Sequence, residues 1–222
     1  MVFTKTASAQ PVIDYLTKVL RDKLAAGDKV LWLVPGGSAI DTAAAVSKNL
    51  QDLDLKNLTV TLTDERFGPM GHADSNWYQL EKAGFKLPGA MQVPVLHGHD
   101  VDQTTSEFAD HLQEYCRGAA YCLGFFGMGP DGHTAGILPD SPAVTDTTWA
   151  VSYQAAPFQR ITMTPPAIAA LSEAVVYATG EAKLQALTNL QSADLPLTEQ
   201  PAQALKKVAK LTVFNDQIGD AA

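Results

Sequence analysis

Basic clusters are missing from this chain. Its 16 lysines and arginines stand scattered among 24 acidic residues, a formal net charge of −8. Nucleic-acid binding calls for a basic face, so no nucleic-acid partner is expected. Cysteine is scarce too. Cys116 and Cys122 show neither a C-x-x-C nor a zinc-type spacing, and the expectation is reduced thiols in a cytosolic protein. No apolar run approaches the length of a membrane span. Met1 to Ser8 lacks the charged start and apolar core of a secretory signal. A cytoplasmic protein with no membrane partner is therefore expected. The chain also lacks a G-x-S-x-G nucleophile elbow, a Walker lysine and the third glycine of a dinucleotide fingerprint. No internal repeat, low-complexity tract or linker divides it. What remains is 222 residues, 46% hydrophobic, enough for one buried core and an expected single domain over residues 1–222.

What is present alternates between two periodicities. Val12, Ile13, Leu16, Val19, Leu20 and Leu24 make one face of a helix over Pro11 to Ala26. Lys29 to Val34 is a short apolar run ending in Pro-Gly-Gly, and a helix from Ser38 to Asn49 follows, with Ser38 as its cap. Leu58 to Thr63 alternates with period two. Helices are expected over Asp74–Gly84, Thr104–Arg117, Glu181–Gln191 and Gln203–Lys210. Strands are expected over Tyr121–Met128, Trp149–Tyr153, Ile161–Thr164, Ala174–Ala178 and Leu211–Phe214. Residues 88–100 and 193–200 read as loops. Helices between apolar strands imply parallel crossover units: an α/β fold, a mostly parallel sheet covered on both faces. Ligands in such sheets bind beyond the carboxyl ends of the strands, where the polar and glycine-rich stretches collect.

Four of these stretches carry candidate chemistry. Pro35-Gly36-Gly37-Ser38 is either a tight turn with a serine cap or a loop whose amides approach an anion. Thr63-Asp64-Glu65-Arg66 is either a solvated strand end with a local ion pair or a site in which Arg66 forks onto phosphate and Asp64 orients it or handles a proton. Gly127 to Gly136, "GMGPDGHTAG", places His133 after a buried strand, with Gly132 permitting a sharp turn and Asp131 near enough to orient the imidazole. An imidazole titrates near neutral pH, so it can take and return a proton within one cycle. Lys183 lies in the first turn of a helix, against the helix dipole, which suits contact with an anion or else a solvated surface lysine. Arg160 opens a strand. Asp74-Ser75-Asn76 reads as a helix cap and His72 as a loop histidine. His97-Gly98-His99 looks metal-like, but a third ligand has no obvious position and no metal is expected.

Together these stations resemble the 6-phosphogluconolactonase family. The matching pieces are Gly36-Gly37-Ser38, Asp64-Glu65-Arg66 with Pro69, Asp74-Ser75-Asn76, Gly127 to Thr134, Pro139-Asp140, Arg160 to Thr164 and Gly180-Glu-Ala-Lys183. They stand in the family's order along nearly the whole chain. The resemblance implies a three-layer α/β/α sandwich with a Rossmann-like sheet. It also implies hydrolysis of 6-phosphoglucono-1,5-lactone in the oxidative pentose phosphate pathway, without metal or cofactor. On it, His133 is the general base supported by Asp131. Arg66, Lys183 and the Gly36-Gly37-Ser38 amides bind the phosphate of a small phosphosugar lactone, and Asp64 and Arg160 are further substrate contacts. Gly68 stands where the family often has valine, and Gly136-Ile137-Leu138 replaces Ser-Leu-Phe. Sugar-phosphate deaminases of similar sequence carry Phe-Asn-Glu-Pro after the histidine. Leu138 handles no proton there, which favours the lactonase over the deaminase, and the presence of His133 with Asp131 speaks against a non-catalytic phosphosugar sensor.

Overall fold

A computed structural model describes residues 1–220. Strands β2 (Val30–Val34), β6 (Tyr121–Phe126) and β9 (Glu173–Ala178) form its middle. All five residues of β2 are buried, as are five of the six in β6 and in β9. Near-continuous burial is what a parallel strand covered on both faces requires. Around them β1 (Val2–Lys5), β10 (Lys210–Asn215), β3 (Leu58–Leu62) and β5 (Met91–Gln92) complete a seven-stranded sheet in the order β1-β10-β9-β6-β2-β3-β5. Every neighbouring pair in it is parallel.

Helices α1 (Gln10–Ala25), α2 (Ile40–Lys48), α3 (Asn76–Lys82), α4 (Val101–Gly118), α5 (Pro165–Ala169) and α6 (Leu184–Ser192) cover the sheet. The stripe read for α1 is used as expected: Val12, Leu16 and Leu20, one turn apart, are fully buried. The α/β reading and its mostly parallel sheet are what the structure contains.

The chain leaves β2 through α2 toward β3 on one side, while β6 occupies the other side of β2. That reversal opens a crevice at the carboxyl ends of β2 and β6. One wall of the crevice is a second, antiparallel sheet of β4 (Asp64–Arg66), β8 (Phe158–Met163) and β7 (Ala150–Ala155), in the order β4-β8-β7. Asp64–Arg66, expected as the end of the second strand, is thus a strand of its own. Thr63 joins the two sheets: its N–H donates to Val34 O at 3.0 Å, and its carbonyl accepts from Met163 N at 3.0 Å.

Other local expectations change. Ser38 caps no helix; it lies inside a 3₁₀ turn, Gly37–Ala39, ahead of α2. Residues 201–207 form a 3₁₀ run rather than an α-helix to Lys210, which instead opens β10. The strand β1 and the short helix α5 were not expected.

Candidate active site

A cleft of about 280 Å³ opens at the crevice and is lined by Gly36, Gly37, Ser38, Asp64, Arg66, His133, Arg160 and Lys183. The segments after β2, β6 and β9 and the paired strands β4 and β8 thus bring these residues to one place. Asp131 does not line the cleft; it stands behind His133. Glycine geometry builds this corner. Gly132 holds φ +75°, the left-handed region. A Cβ on Gly129 would lie 2.1 Å from His133 Nδ1 and 2.6 Å from Asp131 Oδ1, so no other residue lets the pair pack there. The loop is closed by Gly129 N–H to His133 O (3.0 Å), Gly132 N–H to Gly129 O (3.0 Å) and Thr134 Oγ1 to Gly127 O (3.0 Å).

Asp131 Oδ1 sits 2.6 Å from His133 Nδ1 and also accepts the His133 backbone N–H at 3.1 Å. Partial burial pushes the Asp131 carboxyl up, but the His133 backbone hydrogen bond and ring together outweigh it and hold it below its usual range. An ionised Asp131 is acceptor-only, so Nδ1 carries the proton. The lone pair is then on Nε2, which has no hydrogen-bond partner among the described residues.

Cations outnumber the one carboxyl, Asp64, among the cleft's lining residues. Arg66 and Arg160 are Cα partners across the antiparallel β4–β8 ladder, so two like charges stand directly opposite, a destabilising arrangement on its own. Neither arginine nor Lys183 forms a salt bridge among the described residues. The Nε atoms of both arginines are buried without a hydrogen-bond partner. Arg66 spends one donor on Asp74 O at 3.0 Å, and its guanidinium lies 5.2 Å from the Phe158 ring centroid. Burial pushes the Lys183 ammonium below its usual range, against the pull of Asp216. Asp216 accepts the Gly180 N–H at 3.0 and 3.1 Å and so fixes the φ +106° turn that delivers Lys183.

Asp64 is buried at the cleft wall. Burial pushes its carboxyl up, against the Thr63 hydroxyl (2.9 Å) and the charges of Arg160, Arg66 and His133. Next to it, Glu65 is fully buried and points away from the cleft. It accepts from Asn76 N (2.6 Å), Arg66 N (2.7 Å), Ser75 Oγ (2.9 Å) and Trp77 N (3.1 Å). Burial still wins and pushes the Glu65 carboxyl above its usual range. The acid therefore clamps the first turn of α3 to β4, and Ser75 supplies the cap through Tyr78 N at 3.2 Å.

Residues 4–214 match the sequence profile of the family described as glucosamine-6-phosphate isomerases/6-phosphogluconolactonase. The chain belongs to that family. A 6-phosphogluconolactonase of Neisseria meningitidis is 34% identical over 195 residues, covering 79% of this chain and 78% of the relative. That of Pseudomonas aeruginosa is 31% identical over 188 residues, covering 76% and 74%. In fold, the chain is similar to a 6-phosphogluconolactonase from Shewanella baltica, with a TM-score of 0.81 at 20% identity over 97% of both chains. It is equally full-length in its likeness to a monomeric glucosamine-6-phosphate deaminase, with a TM-score of 0.78 at 17% identity and 97% of both chains covered.

In this member of the glucosamine-6-phosphate isomerase/6-phosphogluconolactonase family, Asn76 also lines the cleft, although its sequence position reads only as a cap. Its Nδ2 donates to Asp64 O at 2.9 Å. A Cβ on Gly36 would lie 2.1 Å from its Oδ1, so Gly36 is the residue that makes room for it. The signal in the sequence was that Ser75 alone suffices as a cap, leaving the adjacent asparagine without a task. His72 stays outside the cleft, with Nε2 3.0 Å from Arg66 O. His97 packs edge-on to His111, and His99 Nδ1 meets Glu107 at 2.9 Å.

Proposed function

We propose that this protein hydrolyses 6-phosphoglucono-1,5-lactone. The observation that carries the reading is the convergence of one carboxylate-held imidazole with three unpaired cations in a single cleft of an acidic protein. Three cations without a salt bridge among the described residues offer counter-charge to a phosphate dianion, and a single base matches the addition of water to an already activated ester.

His133 Nε2 takes a proton from water as the water oxygen attacks the lactone carbonyl. The tetrahedral intermediate collapses by breaking the bond to the ring oxygen, which takes the proton back from Nε2. The product is an open-chain hydroxyacid that ionises to a carboxylate. Asp131 stabilises the transient imidazolium and does not itself take a proton. Arg66, Arg160 and Lys183, with the amides of Gly36, Gly37 and Ser38, hold the phosphate. Those amides begin a helical turn and have no intrahelical acceptor. Anchoring the remote phosphate fixes the carbonyl beside the base. One positioned base contributes roughly 10²–10⁴-fold, which suffices for a substrate that also opens spontaneously.

The test is an assay of lactone opening with the spontaneous rate subtracted. Catalysed opening is expected. Ammonia released from glucosamine 6-phosphate, with no lactone opening above background, would transfer the cleft to the deaminase reading.

A further inference from the structure

The two cysteines, 116 and 122, meet in space. Cys116 lies in the last turn of α4 and Cys122 is the second residue of β6, yet their Sγ atoms are 2.9 Å apart. A disulfide needs about 2.05 Å, so closing it requires side-chain movement of less than about 1 Å. Cys122 is the fixed partner. Its backbone is held in the ladder, its N–H donates to Ser172 Oγ at 3.0 Å, and it is 3% exposed. Cys116 is only partly buried and ends an element that borders solvent. The pair sits at the amino end of β6, away from the carboxyl end where the cleft opens.

We propose that Cys116 and Cys122 are a redox modification site that closes to a reversible intramolecular disulfide when the protein meets hydrogen peroxide. The Cys116 thiolate attacks one oxygen of the O–O bond and becomes a sulfenic acid. The other oxygen leaves as hydroxide and is protonated to water. Cys122 then loses its proton and attacks Cys116 Sγ. The S–O bond breaks, a second water leaves, and two thiols have been oxidised for one peroxide reduced. The order follows from access and from the proton between the sulfurs. The hydrogen bond from Cys122 lowers the Cys116 thiol, against burial, while the same bond together with burial raises Cys122. Cys116 is therefore the better thiolate and the more reachable one. The carboxyl end of α4 disfavours negative charge, so the neighbouring thiol is what activates it. Because the closed loop is short, the bond constrains the unfolded chain little. Its consequence is chemical: Cys122 intercepts the sulfenic acid before a second peroxide oxidises it irreversibly.

Arg117 lies between the cysteines, which makes the test direct. The full-length protein is treated with hydrogen peroxide, remaining thiols are alkylated under denaturing conditions, and the product is digested with trypsin. Peptides 87–117 and 118–160 are expected to remain joined until a reductant separates them, with the intact chain lighter by two hydrogens. In Cys122→Ala, the same treatment is expected to add oxygen to Cys116. Two alkylated thiols in the treated wild type, or cysteines joined only between chains, would overturn the proposal whatever the variant does.

Discussion

At the amino ends of β6, β9 and β10, Glu173 is fully buried and surrounded by donors that all reach it. Tyr15 Oη donates to Oε1 at 2.5 Å, Tyr121 Oη donates to Oε2, and Lys210 Nζ lies 3.2 Å from the carboxylate. The network fixes the proton states around it. Burial and Glu173 push the Tyr121 phenol up, and Tyr15 and Glu173 raise Lys210 against the opposing effect of its own partial burial. At the other end of the same sheet, Asp64 is buried beside two guanidiniums that pair with no carboxylate. A buried polar group without a partner costs about 1–3 kcal/mol. The amino end has removed that cost and the carboxyl end retains it. Charge that is matched internally holds a fold together; charge left unmatched around a cavity is matched by something that enters. The contrast separates the end of the sheet that carries the proposed site from the end where charge is paired internally.

The comparison breaks most readily at His133. His133→Ala is expected to lower kcat by about 10²–10⁴-fold while 6-phosphogluconate still binds; steady-state rates and calorimetric titration measure both. A wild-type rate would remove the imidazole from the mechanism. At the opposite end, Glu173→Ala is expected to cost about 3 kcal/mol of stability in urea unfolding and to leave KM unchanged, because it strands the donors of both tyrosines. A raised KM with intact stability would mean that the two ends are not separate.

The cleft cations give smaller, opposite effects. Arg66→Ala or Arg160→Ala is expected to raise KM by about thirtyfold, roughly 2 kcal/mol for a lost charge-assisted contact. Stability should change little, since each removes half of a like-charge pair together with a counter-charge of Asp64. A destabilised Arg160→Ala protein with unchanged KM would make Arg160 structural. The smallest effect is in pH. In the proposed site Lys183 binds phosphate in its protonated form, and burial has lowered its proton affinity. The Kd for 6-phosphogluconate should therefore begin to rise at a pH below the ordinary lysine value of 10.5. Lys183→Arg should hold it flat. The same alkaline limb in both proteins would assign it to another group.

How much of this was legible follows from how local each feature is. The stretches Gly36-Gly37-Ser38, Gly127 to His133 and Gly180 to Lys183 each follow a buried apolar strand, so their shared rim was readable from periodicity alone. The Arg66–Arg160 pairing was not. It depends on an antiparallel ladder between segments about ninety positions apart, and β4 is only three residues long, too short to show an alternation. Glu65 read as one charge among three at a strand end, because its role depends on the amide groups of a helix start ten residues on. β1 was missed because Val2–Lys5 is a half-exposed edge strand, whose exposed valine and lysine leave no continuous apolar signal.

That edge strand has a consequence for assembly. Among the described residues β1 pairs only with β10, Val2 opposite Thr212 through Lys5 opposite Asn215, and the Phe3 N–H donates to Asp220 Oδ1 at 2.6 Å. In a chain made from its amino end, β1 waits for β10 before it has a neighbour in the sheet. The middle of the sheet, from β2 through β9, can pair in the meantime. Formation of the β1–β10 ladder therefore joins the strands farthest apart in sequence, and loss of β10 would release β1 as well.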